Sequence, residues 1–157
     1  MRLLVFSDSH GSVNMLDRAL RAEKKTTHVF FLGDVTDDIE ELIPEYKDKI
    51  FHTVSGNCDF FKKYPTFDTV KVGDVNIFMA HGHTFEVNYG TDKLLQAAKT
   101  QGAQIALYGH THINSIEYKD GVYIINPGSV SRSRNGANSY AVIDILDNGI
   151  LPAVKNL

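Results

Sequence analysis

Two histidines separated by one residue, His110 and His112, follow Gly109 and an apolar run of strand length that ends at Tyr108. A strand that stops at a glycine leaves both imidazoles on an exposed turn, where they can converge on a metal ion. Four further apolar runs end in residues of the same kind. The run ending at Ser7 leads into Asp8 and His10, and the run ending at Leu32 into Gly33-Asp34. The run ending at Ser55 leads into Gly56-Asn57-Cys58-Asp59, and the run ending at Ala80 into His81-Gly82-His83. Loops at the carboxyl ends of strands are where α/β folds build their sites, so the five junctions are read together as one site.

The donors offered there are Asp8, His10, Asp34, Asn57, His81, His110 and His112, a mixture of carboxylate, amide and imidazole. Such donors suit manganese, iron, nickel or zinc and do not match a cysteine-rich structural zinc site. They exceed the needs of one ion with an open position and suffice for two if one carboxylate bridges. Paired ions about 3.5–4 Å apart serve phosphate-ester hydrolysis, where they activate water and stabilise charge at phosphorus.

The elements that must position these residues follow from periodicity. Short continuous apolar runs predict strands over residues 2–7, 28–32 and 50–54. Between them, Val13, Leu16, Ala19 and Leu20 recur at helical spacing behind a possible Ser12 cap. A short helix carrying Ile39, Leu42 and Ile43 is expected to start at Asp37 or Asp38 and to be limited by Pro44. This strand–helix alternation implies parallel pairing through right-handed crossovers. After Pro65 the pattern turns to hairpins. Strands are expected over 67–72 and 75–80, 113–118 and 122–126, and 139–146 and 150–155, with Gly73-Asp74, Lys119-Asp120-Gly121 and Asp147-Asn148-Gly149 at the turns. A helix beginning at Thr91 or Asp92 and ending at Gly102 precedes the strand over 105–108. Two packed sheets with helices outside accommodate both halves in one domain spanning residues 1–157.

Composition narrows the function classes. The net charge of −3 is mild and interspersed, without the basic stripe that tracks a nucleic-acid backbone. The single cysteine excludes an internal disulfide and fits a reducing compartment. No apolar run approaches the roughly 20 residues of a membrane helix, and Met1 leads straight into a short strand, so a cytoplasmic protein is the expectation. Oligomeric state is not legible; a homodimer is compatible with the sequence.

The order Asp8-x-His10, Gly33-Asp34, Gly56-Asn57-x-Asp59, His81-Gly-His83, Gly109-His110-x-His112 resembles the calcineurin-like metallophosphoesterase superfamily. The small size, Asn126-Pro127-Gly128-Ser129 and Cys58 are similar to its small bacterial and archaeal phosphodiesterase branch, and the resemblance spans residues 2 to about 134. It implies a four-layer α/β/β/α sandwich. It also implies that Asp8, His10 and His112 hold one metal, that Asp34 bridges, and that Asn57, His81 and His110 complete the second metal at catalytic positions. Manganese is the expected ion, a bridging hydroxide the expected nucleophile, and a small phosphoester the expected substrate. Many superfamily members carry histidine after the asparagine, where it assists the leaving group. Cys58 in its place points to diesters rather than monoesters. A monoester phosphatase, or an interaction scaffold like the retromer subunit of this fold, are the alternatives.

Other residues carry weaker expectations. His83 is read as a rim residue, while His28 and His52 lie in strand-like runs as structural residues. Asp59 either orients a ligand or caps a turn. The segment Asn126 to Ser129 follows a strand and is placed to line the site. Arg132, in the basic stretch Ser131 to Gly136, either contacts a substrate phosphate or belongs to a solvated loop.

Overall fold

The computed structural model describes residues 1–61 and 63–157. Among these residues, ten strands form two mixed five-stranded sheets. In the first, β1 (Arg2–Phe6), β2 (His28–Phe31) and β3 (Ile50–Thr53) run parallel, and β9 (Ser139–Leu146) and β10 (Gly149–Asn156) add antiparallel beside β1. In the second, β5 (Val75–Ala80), β6 (Ile105–Leu107) and β8 (Val122–Asn126) are the parallel centre, flanked by β4 (Phe67–Val72) and β7 (Ser115–Lys119).

Both faces of the central strands are covered, which is why these strands read as unbroken apolar runs. The alternation of side chains then sorts each strand between two cores. Leu3 and Val5 meet Phe30, Ile77, Met79, Ile105 and Leu107 between the sheets. Leu4 and Phe6 point the other way, toward Leu16, Leu20, Ile39 and Leu42 of helices α1 (Val13–Ala22) and α2 (Thr36–Leu42). Phe78, Ala106 and Ile124 of the second sheet pack on Leu94, Leu95 and Ala98 of α3 (Asp92–Thr100). The layers are therefore helix, sheet, sheet, helix, as expected. Truncating one of these fully buried leucines to alanine would cost about 2–5 kcal/mol.

Three local expectations need correction. Helix α2 is preceded not by an aspartate cap but by Val35 in the left-handed region (φ 72°), and Asp37 and Asp38 lie in its first turn. Ser12 and Thr91 stand at the N-cap positions of α1 and α3, but neither side chain makes a capping hydrogen bond. The strand expected from residue 113 begins at Ser115, because His112 takes a positive φ and the Thr111 hydroxyl accepts from Ile113 N–H, prolonging the turn. Among the described residues, no helix is long and apolar enough to cross a membrane.

Candidate metal centre

The five junctions meet at one end of the sandwich, where β1, β2, β3, β5 and β6 deliver their carboxyl ends. Close approach of backbones explains the glycines there. A Cβ on Gly109 would stand 1.9 Å from Ser7 Oγ and 2.8 Å from Asp8 Oδ2. One on Gly33 would stand 2.4 Å from Gly56 N, and one on Gly56 2.1 Å from Asp34 Oδ1. The loops are also strained: Asp8, His10, Asp34, Val35, His110 and His112 all have positive φ. Such backbones cost on the order of 1–3 kcal/mol each and persist where the surroundings over-determine them.

The donors converge. His112 Nε2 lies 3.2 Å from Asp8 Oδ1, and His10 Nε2 lies 4.0 Å from that oxygen and 3.8 Å from Asp34 Oδ2. His81 Nε2 is 3.4 Å from Asp34 Oδ1, 3.9 Å from Asp8 Oδ1 and 3.1 Å from Asn57 Oδ1. Cys58 offers its sulfur to the same cluster as His10 and Asp34. His110 places its ring 5.2 Å from that of His81, and its backbone N–H donates to Asp8 Oδ2. Asp8, His10, Asp34, Asn57, His81 and His112 thus converge from five separate loops, and the His110 ring packs beside them on His81.

Secondary contacts fix the tautomers of two histidines. His81 Nδ1–H donates to Leu32 O (2.7 Å) and His112 Nδ1–H to Arg132 O (2.9 Å), so each presents Nε2 toward the carboxylates. Arg132 therefore acts here through its backbone, a role its side-chain type could not announce. Asp59 is a buttress: its carboxylate accepts from Gly56, Asp34, Val35 and Thr36 N–H at 2.7–3.0 Å, pinning the second and third junctions together. Ser129 Oγ donates to Asp8 O and Asn126 Nδ2 to Gly109 O, so the Asn126–Ser129 segment braces the centre from behind rather than lining it. The His83 ring lies beside His81 and His110, at 5.4 and 6.1 Å. His28 and His52 contact each other at 3.0 Å on β2 and β3. Sequence reasoning missed Asn88, which stands 3.0 Å from His110 Nε2, and Asp38, whose carboxylate accepts from Ser9 Oγ and Gly11 N. Neither carried a signal in the sequence, since an asparagine in a loop and an acidic residue in a first helical turn are commonplace.

Burial and charge pull against each other in the centre. Burial alone would lift the Asp34 carboxyl, but the His81 imidazole and the Cys58 N–H outweigh it and hold it well below the usual range. Burial would depress His81, yet Asp34 and Asp8 raise it, and the Asp8 carboxylate raises His112. Burial dominates at His10 and His110, which are lowered, and it pushes the Cys58 thiol up to about 11 with help from Asp34. Two buried carboxylates are therefore held by nearby imidazoles and by the backbone N–H groups of Cys58 and His110. Asp8 Oδ1 is buried and, among the described residues, accepts no well-aligned hydrogen bond. An under-compensated carboxylate ringed by imidazole nitrogens fits a divalent cation, which would displace protons from those nitrogens.

Comparison with known proteins identifies the family. Residues 1–148 match the model of the calcineurin-like phosphoesterase superfamily domain, and the chain belongs to that family. It is 30% identical to the probable metallophosphoesterase YsnB of Bacillus subtilis over 92% of this chain and 85% of that protein. It is 29% identical to the phosphodiesterase YfcE of Escherichia coli, over 98% of this chain and 91% of the other. A predicted phosphoesterase of Streptococcus pneumoniae superposes with a TM-score of 0.85 at 30% identity, covering 99% of this chain and 88% of that one. Vps29 of Entamoeba histolytica shares the fold, with a TM-score of 0.72 at 22% identity over 100% and 99% of the two chains.

Proposed function

We propose that residues 1–157 act as one metal-dependent phosphodiesterase domain with a centre for two divalent ions, manganese first among them. Asp8, His10 and His112 hold one ion, Asp34 bridges, and Asn57, His81 and His110 hold the other. The observation that carries the reading is the convergence of two buried carboxylates on a ring of imidazole nitrogens, one of their oxygens accepting no well-aligned hydrogen bond among the described residues. Bound divalent ions supply Lewis acidity and a water of lowered pKa. The chain's own residues hold the site in place. Asp59 and Asn126 lock the loops, and the Leu32 and Arg132 carbonyls aim His81 and His112. Cys58, at the mouth of the centre, offers a poor proton donor to a departing oxygen, which favours diesters with acidic leaving groups. The single cysteine fits a cytoplasmic setting, and the substrate is a small phosphoester.

The likeness to Vps29 favours a second reading, a scaffold of the same fold. Such a role has no use for a strained donor set, and one experiment separates the two. The full chain is stripped with a strong chelator, reloaded with Mn2+, and assayed on bis(p-nitrophenyl) phosphate and p-nitrophenyl phosphate, with metal content measured in parallel. The expected result is two ions per chain, activity that vanishes and returns with manganese, and faster diester turnover. Full activity in the metal-free chain, or none in the loaded one, overturns the proposal.

A further inference from the structure

The three histidines that approach the centre from β5 and β6 differ in what holds their second ring nitrogen. For His81 and His112 it is a main-chain carbonyl, which can only accept, so Nδ1 carries the proton and Nε2 is left for a metal. For His110 the contact is reversed. Its Nε2 lies 3.0 Å from Asn88 Nδ2, so the amide is placed nitrogen-inward, and the nitrogen left over is Nδ1. An amide turns end for end without moving its other atoms, so either its oxygen or its nitrogen can face the ring. With the nitrogen inward, Asn88 consumes the Nε2 lone pair and leaves the proton on Nδ1, and His110 has no lone pair to give. With the oxygen inward, it accepts the Nε2 proton and Nδ1 is free to bind.

We propose that Asn88 is a positioning residue of the centre: its amide oxygen accepts from His110 Nε2–H and reserves Nδ1 for the second ion. This rests on the metal-centre reading above. The surrounding structure is built to hold Asn88 there. It lies in a 3-10 turn, Val87–Tyr89, entered through Glu86 at φ 54°. Val87 is buried in the α3-side core, in a close fit to Gly82, where an added Cβ would come within 2.8 Å of its side chain. Gly82 directly follows His81, so the turn is seated on the same junction that supplies another ligand. The fixed Val87 leaves its neighbour Asn88 exposed, over His110.

The test uses the full chain and two readouts. Long-range 15N–1H spectra of the metal-free protein report the His110 tautomer, and Mn2+ titration followed by electron paramagnetic resonance reports both affinities. The wild type is expected to show His110 protonated on Nε2. Asn88→Ala is expected to lose that preference and to weaken the second ion by about ten- to a hundredfold, the usual range for partners of metal ligands, with the first ion unchanged. Asn88→Asp, which can only accept, is expected to restore the tautomer. An Nδ1–H tautomer in the wild type, or second-ion binding that is unchanged or tighter in Asn88→Ala, overturns the assignment. A higher KM in Asn88→Ala with tautomer and affinities intact also overturns it, making Asn88 a substrate contact. If the wild type binds fewer than two ions, the metal-centre reading fails, while the tautomer measurement still decides the role of Asn88.

Discussion

Strand β1 connects two clusters of buried charge that are built on opposite principles. At its start, the Arg2 guanidinium donates twice to Asp144, at 2.8 Å each. Beside it the buried Glu23 carboxylate accepts from Arg2, Tyr140 and Lys155. Past its end, Asp8 and Asp34 sit on left-handed backbone among imidazoles, and one carboxylate oxygen lacks a well-aligned donor among the described residues. The first cluster has matched each acceptor with donors from its own chain. The second crowds two carboxylates together with imidazole nitrogens, and part of its acceptor capacity is left without a well-aligned donor among the described residues. Satisfied clusters contribute stability, and strained, under-compensated ones are where function is stored.

The contrast breaks most visibly at Asp34. Asp34→Ala should lower diester turnover by more than about 100-fold, beyond the usual effect of a partner that only supports a ligand, and should disturb both ions. His112→Ala should deplete one ion and cost less. Metal content per chain decides it, and two ions retained in Asp34→Ala would refute the bridge.

Cys58 sharpens the comparison from the side of chemistry. Cys58→His places an imidazole where it can protonate a leaving oxygen, help worth about 10²–10⁴-fold when fully effective. The variant should gain at the lower end of that range, and only on alkyl esters and monoesters, whose leaving groups need a proton. Turnover of aryl and alkyl diesters, with metal content held equal, measures it. An unchanged ratio would remove Cys58 from substrate selection.

The satisfied cluster should respond in the opposite currency. Glu23→Gln should cost about 2 kcal/mol of folding stability through weakened charge-assisted hydrogen bonds, with kcat and KM unaltered. Burial alone would raise the Glu23 carboxyl, but Lys155, Tyr140 and Arg2 outweigh it and hold it below its ordinary value of 4.5. A depressed carboxyl contributes fully above its unfolded value and loses that contribution as pH falls through the folded one. Urea unfolding should therefore show the gap between the two proteins narrowing as pH falls below 4.5; a gap that stays constant there would contradict the ion-pair account.

The smallest effect is expected in the metal-free centre. Asp8→Asn keeps the acceptor for His110 N–H and gives a donor facing His112 Nε2, so stability should change by less than about 1 kcal/mol or rise. Metal binding should nonetheless collapse. A large loss of thermal stability in the stripped protein would place Asp8 with the structural cluster instead.

Much of this was legible in the chain itself. Runs such as Leu3–Phe6 and Ile105–Leu107 are apolar without interruption because both faces are buried, and that pattern survives in one dimension. The glycines at 33, 56 and 109 and the donors beside them are fixed by residue type, because a close backbone approach admits no Cβ and a metal requires lone pairs. Contacts between distant segments left no such mark. Val35 opens α2 in place of an aspartate because the Asp59 carboxylate, from another loop, satisfies the N–H groups of Val35 and Thr36. Arg132 serves through its carbonyl, a group every residue carries, and Asn88 finds His110 only because Val87 seats its turn on Gly82. The sequence by itself determined which side chains could bind a metal and which strands would carry them. The tertiary structure decided which nitrogen His81 and His112 present and which carbonyls hold them there, since hydrogen bonds depend on where folded segments meet.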